Sequence, residues 1–394
     1  MELFILDSLF NRKTIVEDYI SLVWAERFND FGDFTVVIPS NYANRVLYKP
    51  GLFFNINKSD RIMKLETVED TEEDGEKTLT LSGRSIEFIF ERRVVWPSNA
   101  ALGNDPSWTI SGPPKAIIDS VVAAQLSVST WAPNNIPNLR VNGGWYPQDT
   151  IIPQAESIIV SITKPTSLYN YIKEIAKNYG LGFRIYKSPN WNDYVYYDTY
   201  SGSDRSLGQT DLPPVIFSFD LENLNSLSIL KSVEKQFYGC YVFSKYGFDE
   251  VYVNDYDAST PAGVNRSIFS IEVTEPEELT TDSQRQAYRI QKGIEALVTT
   301  QDIFVIDGEI SQNSQYIYGT DYFLGDFVDM RDDTGAINHM RVIEQIFTDD
   351  SNGEKAYPTL ATEMLIAPGT WAALDATLTW PNAVGEWDDQ IGEI

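Results

Sequence analysis

The chain carries one cysteine and one histidine, Cys240 and His339. Together they could supply a thiol nucleophile and an imidazole base. Cys240, however, stands in Tyr238-Gly239-Cys240-Tyr241-Val242-Phe243, an apolar run that reads as a strand, where a thiol serves as a small hydrophobe. With one residue of each type, neither a His-x-x-x-His nor a Cys-x-x-Cys pair can be built, which removes most zinc patterns. An intrachain disulfide is excluded for the same reason. No Gly-x-Ser-x-Gly elbow and no phosphate-cradling glycine loop occurs. The 57 Asp and Glu residues could include a glycosidase-type acid pair, but no spacing marks one out. The sequence therefore reads as a non-enzyme: no catalytic, cofactor-binding or metal-ligating residue is assigned, and no cofactor.

A second group is aromatic. Asn142-Gly143-Gly144-Trp145-Tyr146 and Trp191-Asn192-Asp193-Tyr194 could stack on sugars, although such residues more often anchor cores and interfaces. Trp371, Trp380 and Trp387 crowd the C-terminal segment and are expected to clamp onto the chain or a neighbour.

The net charge of −27 argues against sequence-specific nucleic-acid binding, which needs Lys and Arg to neutralise phosphates. An acidic surface instead suits solubility, or DNA sliding past without sticking. The opening MELFILDSLF lacks a basic n-region, and no run approaches the roughly 18 apolar residues of a membrane span. The expectation is a soluble protein made without a signal peptide.

The elements that would position such groups are mostly strands. A pattern occurs twice: Leu65-Glu66-Thr67-Val68 followed by Gly75-Glu76-Lys77, and Ile343-Glu344-Gln345-Ile346 followed by Gly353-Glu354-Lys355. The glutamates are 278 positions apart, and each glycine falls nine positions after its glutamate. The lead-ins Gly51-Leu52-Phe53-Phe54-Asn55-Ile56 and Gly325-Asp326-Phe327-Val328-Asp329-Met330 match without a gap, which leaves a turn differing by four residues. Alternation such as Met63 and Leu65 against Lys64 and Glu66 is that of a half-buried strand. The acidic stretch before Gly75 reads as a hairpin tip. Two copies so far apart imply two related β domains in one chain.

Residues 1–105 form the first β-barrel-like domain, with a short helical turn at Tyr42–Tyr48 and another helix near Arg84–Arg93. Residues 106–214 are the first part of an α/β insert. Its helices are a Pro-led one bearing Ile117, Ile118, Val121 and Val122, and one bearing Leu168, Ile172, Ile175, Ala176 and Tyr179. Residues 215–265, with strands at Val215–Phe219, Cys240–Phe243 and Glu250–Asn254, begin the second β domain. Residues 266–299 return to the insert as a helix at about Ser283–Val298, residues 300–366 complete the second domain, and residues 367–394 are the Trp-containing tail. The fold class is α+β and β-dominated.

Several segments carry a family resemblance. Ser21-Leu22-Val23-Trp24-Ala25-Glu26-Arg27-Phe28-Asn29-Asp30-Phe31-Gly32-Asp33-Phe34 with Ile38-Pro39 is similar to the opening of minor tail proteins of long-tailed phages of Gram-positive bacteria. Leu81-Ser82-Gly83-Arg84-Ser85 with Glu91-Arg92-Arg93, Gly202-Ser203-Asp204-Arg205, Phe217-Ser218 and Asp321-Tyr322-Phe323-Leu324-Gly325-Asp326-Phe327 continue it in the same order. The chain thus resembles the gene-product-37-like siphovirus tail proteins, relatives of baseplate hub (tail-tip) proteins. Residues 126–158 and the tail have no counterpart in that pattern.

The resemblance implies a structural homotrimer whose paired β-barrel-like tail-tube domains offer pseudo-sixfold symmetry to a hexameric tube. It implies contacts with the distal tail protein, the tape-measure protein and other tail-tip or receptor-binding proteins, passage of DNA, and a place in the virion. Other readings are a receptor- or carbohydrate-binding adsorption protein using the aromatics, and a wall-degrading enzyme.

Overall fold

The computed structural model describes residues 1–73, 75–95, 108–127, 132–141, 157–162, 165–187, 194–232, 234, 236–252, 262–300, 303–310, 315–331 and 335–361. The first β unit runs β1 (Leu3–Leu6), β2 (Arg12–Val16), β3 (Ser21–Arg27), β4 (Asp33–Pro39), α1 (Tyr42–Leu47), β5 (Phe53–Ile56), β6 (Met63–Glu73) and β7 (Glu76–Ser85). Asn41 caps α1 by accepting from the Asn44 N–H. The second helix expected here is a 3₁₀ turn, Ile86–Arg92, that buries Ile86, Phe88 and Phe90. Alternation along β3, β4 and β7 puts Leu22, Trp24, Phe34, Val36, Leu79 and Leu81 into one core.

The insert follows with β8 (Val94–Val95), β9 (Trp108–Gly112), α2 (Pro114–Leu126), β10 (Leu139–Val141), β11 (Ile158–Ile162), β12 (Thr166–Ser167), α3 (Leu168–Asn178), β13 (Gly182–Lys187) and β14 (Val195–Tyr200). Helices α2 and α3 share one core with β13 and β14 through Ile118, Val122, Ile172, Ala176, Phe183 and Tyr197.

The remainder comprises β15 (Ile216–Phe217), β16 (Leu224–Ser232), β17 (Gly239–Ser244), β18 (Gly247–Tyr252), β19 (Ile268–Glu272), α4 (Asp282–Val298), β20 (Ile303–Ile310), β21 (Phe327–Arg331), β22 (Ile337–Asp350) and β23 (Gly353–Ala361). A capping box from Thr281 and Gln284 starts α4. One 13-stranded sheet holds both β units, in the order β16-β20-β23-β22-β3-β4-β7-β6-β5-β1-β2, with β21 and β15 branching from β22. Strands β17 and β18, expected in the second β domain, instead form a separate sheet with β19. The reason is packing: Cys240, Val242 and Val251 bury against Leu297 of α4.

The repeat is real in three dimensions, but its register differs from the sequence alignment by one residue. Strand β6 pairs with β7 as Lys64↔Arg84, Leu65↔Gly83 and Thr67↔Ser82, with Glu66 as a bulge. Strand β22 pairs with β23 as Arg341↔Ala361, Val342↔Leu360 and Glu344↔Thr359, with Ile343 as the bulge. The equivalent of Glu66 is therefore Ile343, at a spacing of 277. The hairpins close at Glu73↔Glu76 and Asp350↔Gly353. Gly75 and Gly353 both lie at positive φ, but Gly75 sits inside the turn, one place before the closing Glu76, whereas Gly353 is itself a closing residue, so the shared glycine misaligned the copies. The lead-ins do match as read. The Gly51 N–H donates to the Leu65 carbonyl at 2.8 Å, and the Gly325 N–H donates to the Val342 carbonyl at 2.8 Å. The intervening turn accordingly differs by three residues rather than four.

Candidate functional site: the seam between the β units

The two β units meet edge to edge. The outer half of β22 pairs antiparallel with β3, from Glu344↔Arg27 to Asp349↔Leu22. Phe347 and Trp24 lie directly opposite and are both buried, so the core runs across the seam. Arg27 reaches Asp33 at 2.5 Å and Glu344 at 2.8 Å, joining its own unit to the other. At the far end the Met1 ammonium bonds Asp349 at 2.7 Å and also meets Glu354. Beneath the seam the Trp24 indole N–H donates to Glu26 at 3.0 Å, and the Tyr318 hydroxyl donates to the same carboxylate at 3.2 Å. Burial pushes the Glu26 carboxyl above its ordinary range, against the pull of Arg61.

Phe28, the residue after β3, is the node of the molecule. Its N–H donates to the Ile343 carbonyl at 2.9 Å, and its own carbonyl accepts from the Phe183 N–H at 3.0 Å. One backbone unit thereby ties together both β units and the insert. The Phe28 ring packs edge-on to Tyr200 at 5.3 Å and under the Arg341 guanidinium at 4.9 Å. Two glycines make room for it: a Cβ at Gly182 or Gly325 would lie 2.3 or 2.5 Å from the ring. Arg341 is fully buried and donates to the Ser201 and Gly325 carbonyls at 2.5 and 2.6 Å.

Asp326 organises the adjoining loop. It accepts from the Ser203 N–H at 2.8 Å, the Arg205 Nε at 2.7 Å and the Phe323 N–H at 3.0 Å. Burial raises its carboxyl to about 6, against the pull of Arg205 and these backbone donors. Gly202 approaches the Gly325 backbone so closely that a Cβ would meet it at 2.3 Å. The segments Ser21–Phe34, Gly202–Arg205 and Asp321–Phe327, scattered along the sequence, therefore converge on one place, and what they build is a joint.

The residues weighed for chemistry do not converge. Cys240 is buried in the small sheet, where burial pushes its thiol up to about 11. His339 belongs to β22 of the large sheet, pairs with Asp329 at 3.4 Å and stacks on Phe327 at 4.7 Å. Among the described residues no group of three or more His, Cys, Asp and Glu could hold a metal ion. Among them, too, no helix is long and apolar enough to cross a membrane. Trp145, Tyr146, Trp191 and the tail tryptophans Trp371, Trp380 and Trp387 lie outside the described residues. Tyr194 is described, and the Arg140 guanidinium covers its ring at 4.0 Å.

Among the described residues, a duplicated strand unit and an inserted α/β region thus meet at one buried joint in a β-dominated chain. The chain belongs to the Siphovirus ReqiPepy6 Gp37-like protein family, whose model matches residues 2–360. A comparison with curated proteins found no match. Among solved structures, the tail protein from Neisseria meningitidis MC58 shares the fold at TM-score 0.54 and 11% identity, over 94% of this chain and 98% of that one. The prophage MuSo2 43 kDa tail protein from Shewanella oneidensis shares it at 0.52 and 14%, over 91% and 98%. The prophage tail protein gp18 from Listeria monocytogenes EGD-e shares it at 0.51 and 9%, over 92% and 95%.

Proposed function

We propose that this tail protein is a hub subunit at the tail tip, three copies of which form a ring on the hexameric tail tube. The observation that carries this reading is the duplication. Each chain sets two β units of the same bulge and register side by side at the β22–β3 seam. Three chains then offer six equivalent units, which suits a sixfold partner through ordinary closed symmetry. In this role the protein contacts the distal tail protein on one side and the tape-measure protein through the ring, and it links the tube to the adsorption apparatus. It works as a structural part of the virion and not as an enzyme.

The face of the sheet opposite the core supports passage of DNA. Thr35, Thr67, Glu69, Thr80, Ser82 and Thr348 alternate with core residues and stand partly or fully exposed. These hydroxyls and carboxylates offer a polyanion no positive charge, and Arg27 and Arg84 at the end of the same face are held in ion pairs with Asp33, Glu344, Glu66 and Glu91. We assign residues 1–105 to the first β unit and residues 215–232 and 303–361 to the second. The insert then takes 106–214 together with β17–β19 and α4. Native mass spectrometry of purified tail tips tests the reading: three copies per tip are expected, and a single copy contradicts it.

A further inference from the structure

Helices α3 and α4 and strand β11 enclose a cavity of about 230 Å³ in the insert. None of the joint's residues lines it. Its frame is tied on both sides of α4. The hydroxyl of Tyr179, which caps α3, donates to Glu295 at 2.8 Å. The Gln291 side chain accepts from the Ile159 N–H and donates to the Ile159 carbonyl, both at 3.2 Å. Tyr171, Glu174 and Asn178 are spaced three and four apart, so they share one face of α3. Tyr288, Lys292 and Glu295 do the same on α4, and Val160 and Ile162 close the space from β11.

The buried end of this cavity is incompletely satisfied. Tyr171 is 7% exposed, and its buried hydroxyl has no hydrogen-bond partner among the described residues. A buried donor left in this state costs stability unless a ligand or a water meets it. Burial, and then the charge of Glu174, push that hydroxyl above its ordinary pKa, so it keeps its proton at neutral pH. Asn178 is buried beside it, while Asn170 and Glu174 line the exposed end. The charges decide what such a space can take. Lys292 is already paired with Glu295 at 2.7 Å, and counting Glu174 leaves the cavity with one net negative charge. That disfavours an anion. No group of three or more His, Cys, Asp and Glu among the described residues could hold a metal ion. The volume falls below the roughly 300–1,000 Å³ of pockets for larger ligands.

We propose that this cavity binds one unit of a neutral sugar. A pyranose carries hydroxyls that both donate and accept, set around a ring with apolar faces. Tyr171 and Lys292 supply donors, Glu174 an acceptor, and Asn178 both. Val160, Ile162 and Ile175 supply apolar wall. The site is independent of whether the copies form a ring.

Saturation-transfer NMR on the purified full chain tests this with glucose, galactose, rhamnose and N-acetylglucosamine, and with glucuronate as the anionic probe. Transfer to at least one neutral sugar is expected. Tyr171→Phe should weaken that binding about 3- to 10-fold. It should leave the melting temperature unchanged or higher, because the hydroxyl it removes has no partner. Glu174→Ala, at the exposed end, should weaken binding as well. Phe243 and Phe248, exposed and stacked at 5.8 Å on the small sheet, are the competing aromatic platform. Phe248→Ala should leave binding unchanged. Cellobiose, lactose and diacetylchitobiose separate the sources. Binding of the matching disaccharide points to the end of a glycan and binding of the free sugar alone to a small metabolite, and both support the site. No transfer to any neutral sugar, or a preference for glucuronate, overturns it. So does binding kept in full by both Tyr171→Phe and Glu174→Ala. None of these outcomes bears on the number of copies per tip.

Discussion

Phe28 and Gly325, 297 residues apart, occupy one another's space: a single methyl on Gly325 would lie 2.5 Å from the Phe28 ring. The glycine belongs to the lead-in of the second β unit and the phenylalanine to the end of β3 in the first. Their fit sets how closely the two units approach. It also explains why the joint needs a residue without a side chain at a position whose φ is +91°.

Gly325→Ala should therefore cost about 2–5 kcal/mol, combining the left-handed backbone penalty with overpacking. Its repeat equivalent, Gly51, has φ +106° but open space around a new Cβ. Gly51→Ala should cost only about 1–2 kcal/mol. Urea unfolding of both variants checks this, and equal losses would show that the Phe28 contact contributes nothing.

Arg61 and Glu87 form a buried pair at 2.5 Å, and Glu87 also accepts from the Ile185 N–H at 2.7 Å, so the pair ties the first unit to the insert. Glu87→Ala strands a buried guanidinium and should cost about 3–5 kcal/mol. Lys77→Ala breaks an exposed pair with Glu72 and should cost less than about 1 kcal/mol. Thermal denaturation of the two variants separates them.

Hydrogen bonds from Arg84 hold the Glu66 carboxyl below its ordinary 4.5. A group held lower in the folded state adds stability above its unfolded value, and that stability is lost as pH falls through the folded value. Glu66→Gln should show its full deficit, about 0.5–1 kcal/mol, at pH 7. The deficit should vanish toward pH 3. A deficit unchanged across that range would exclude the charge as its source.

Cys240 should react with a thiol reagent at pH 8 many times more slowly in the folded protein than in urea, because its thiol is buried and titrates near 11. Cys240→Ala should leave adsorption and plating unchanged. A loss of infectivity with normal tail assembly would restore a chemical role.

Much of the local structure was legible in the sequence. Helix α3 follows from its Leu168, Ile172 and Ile175 stripe, α4 from its heptad-like spacing, and the two hairpins from acidic, glycine-containing turns. The repeat was legible too, yet one residue out of register. A bulge at Glu66 or Ile343 is a backbone event with no residue type of its own, whereas a glycine can shift by one place within a turn. Strands β17 and β18 look like members of any sheet until α4 claims their apolar face. The convergence on Phe28 was present in sequence only as separate family landmarks. What unites them is close approach at Gly182, Gly202 and Gly325, which local patterning does not encode.

The most direct test of the central claim is a cryo-EM reconstruction of the tail tip computed without imposed symmetry. The account predicts three copies of this chain around the axis, presenting six equivalent β units to the tube. A tip holding one copy, or a ring in which only one of each chain's two β units faces the tube, would contradict it.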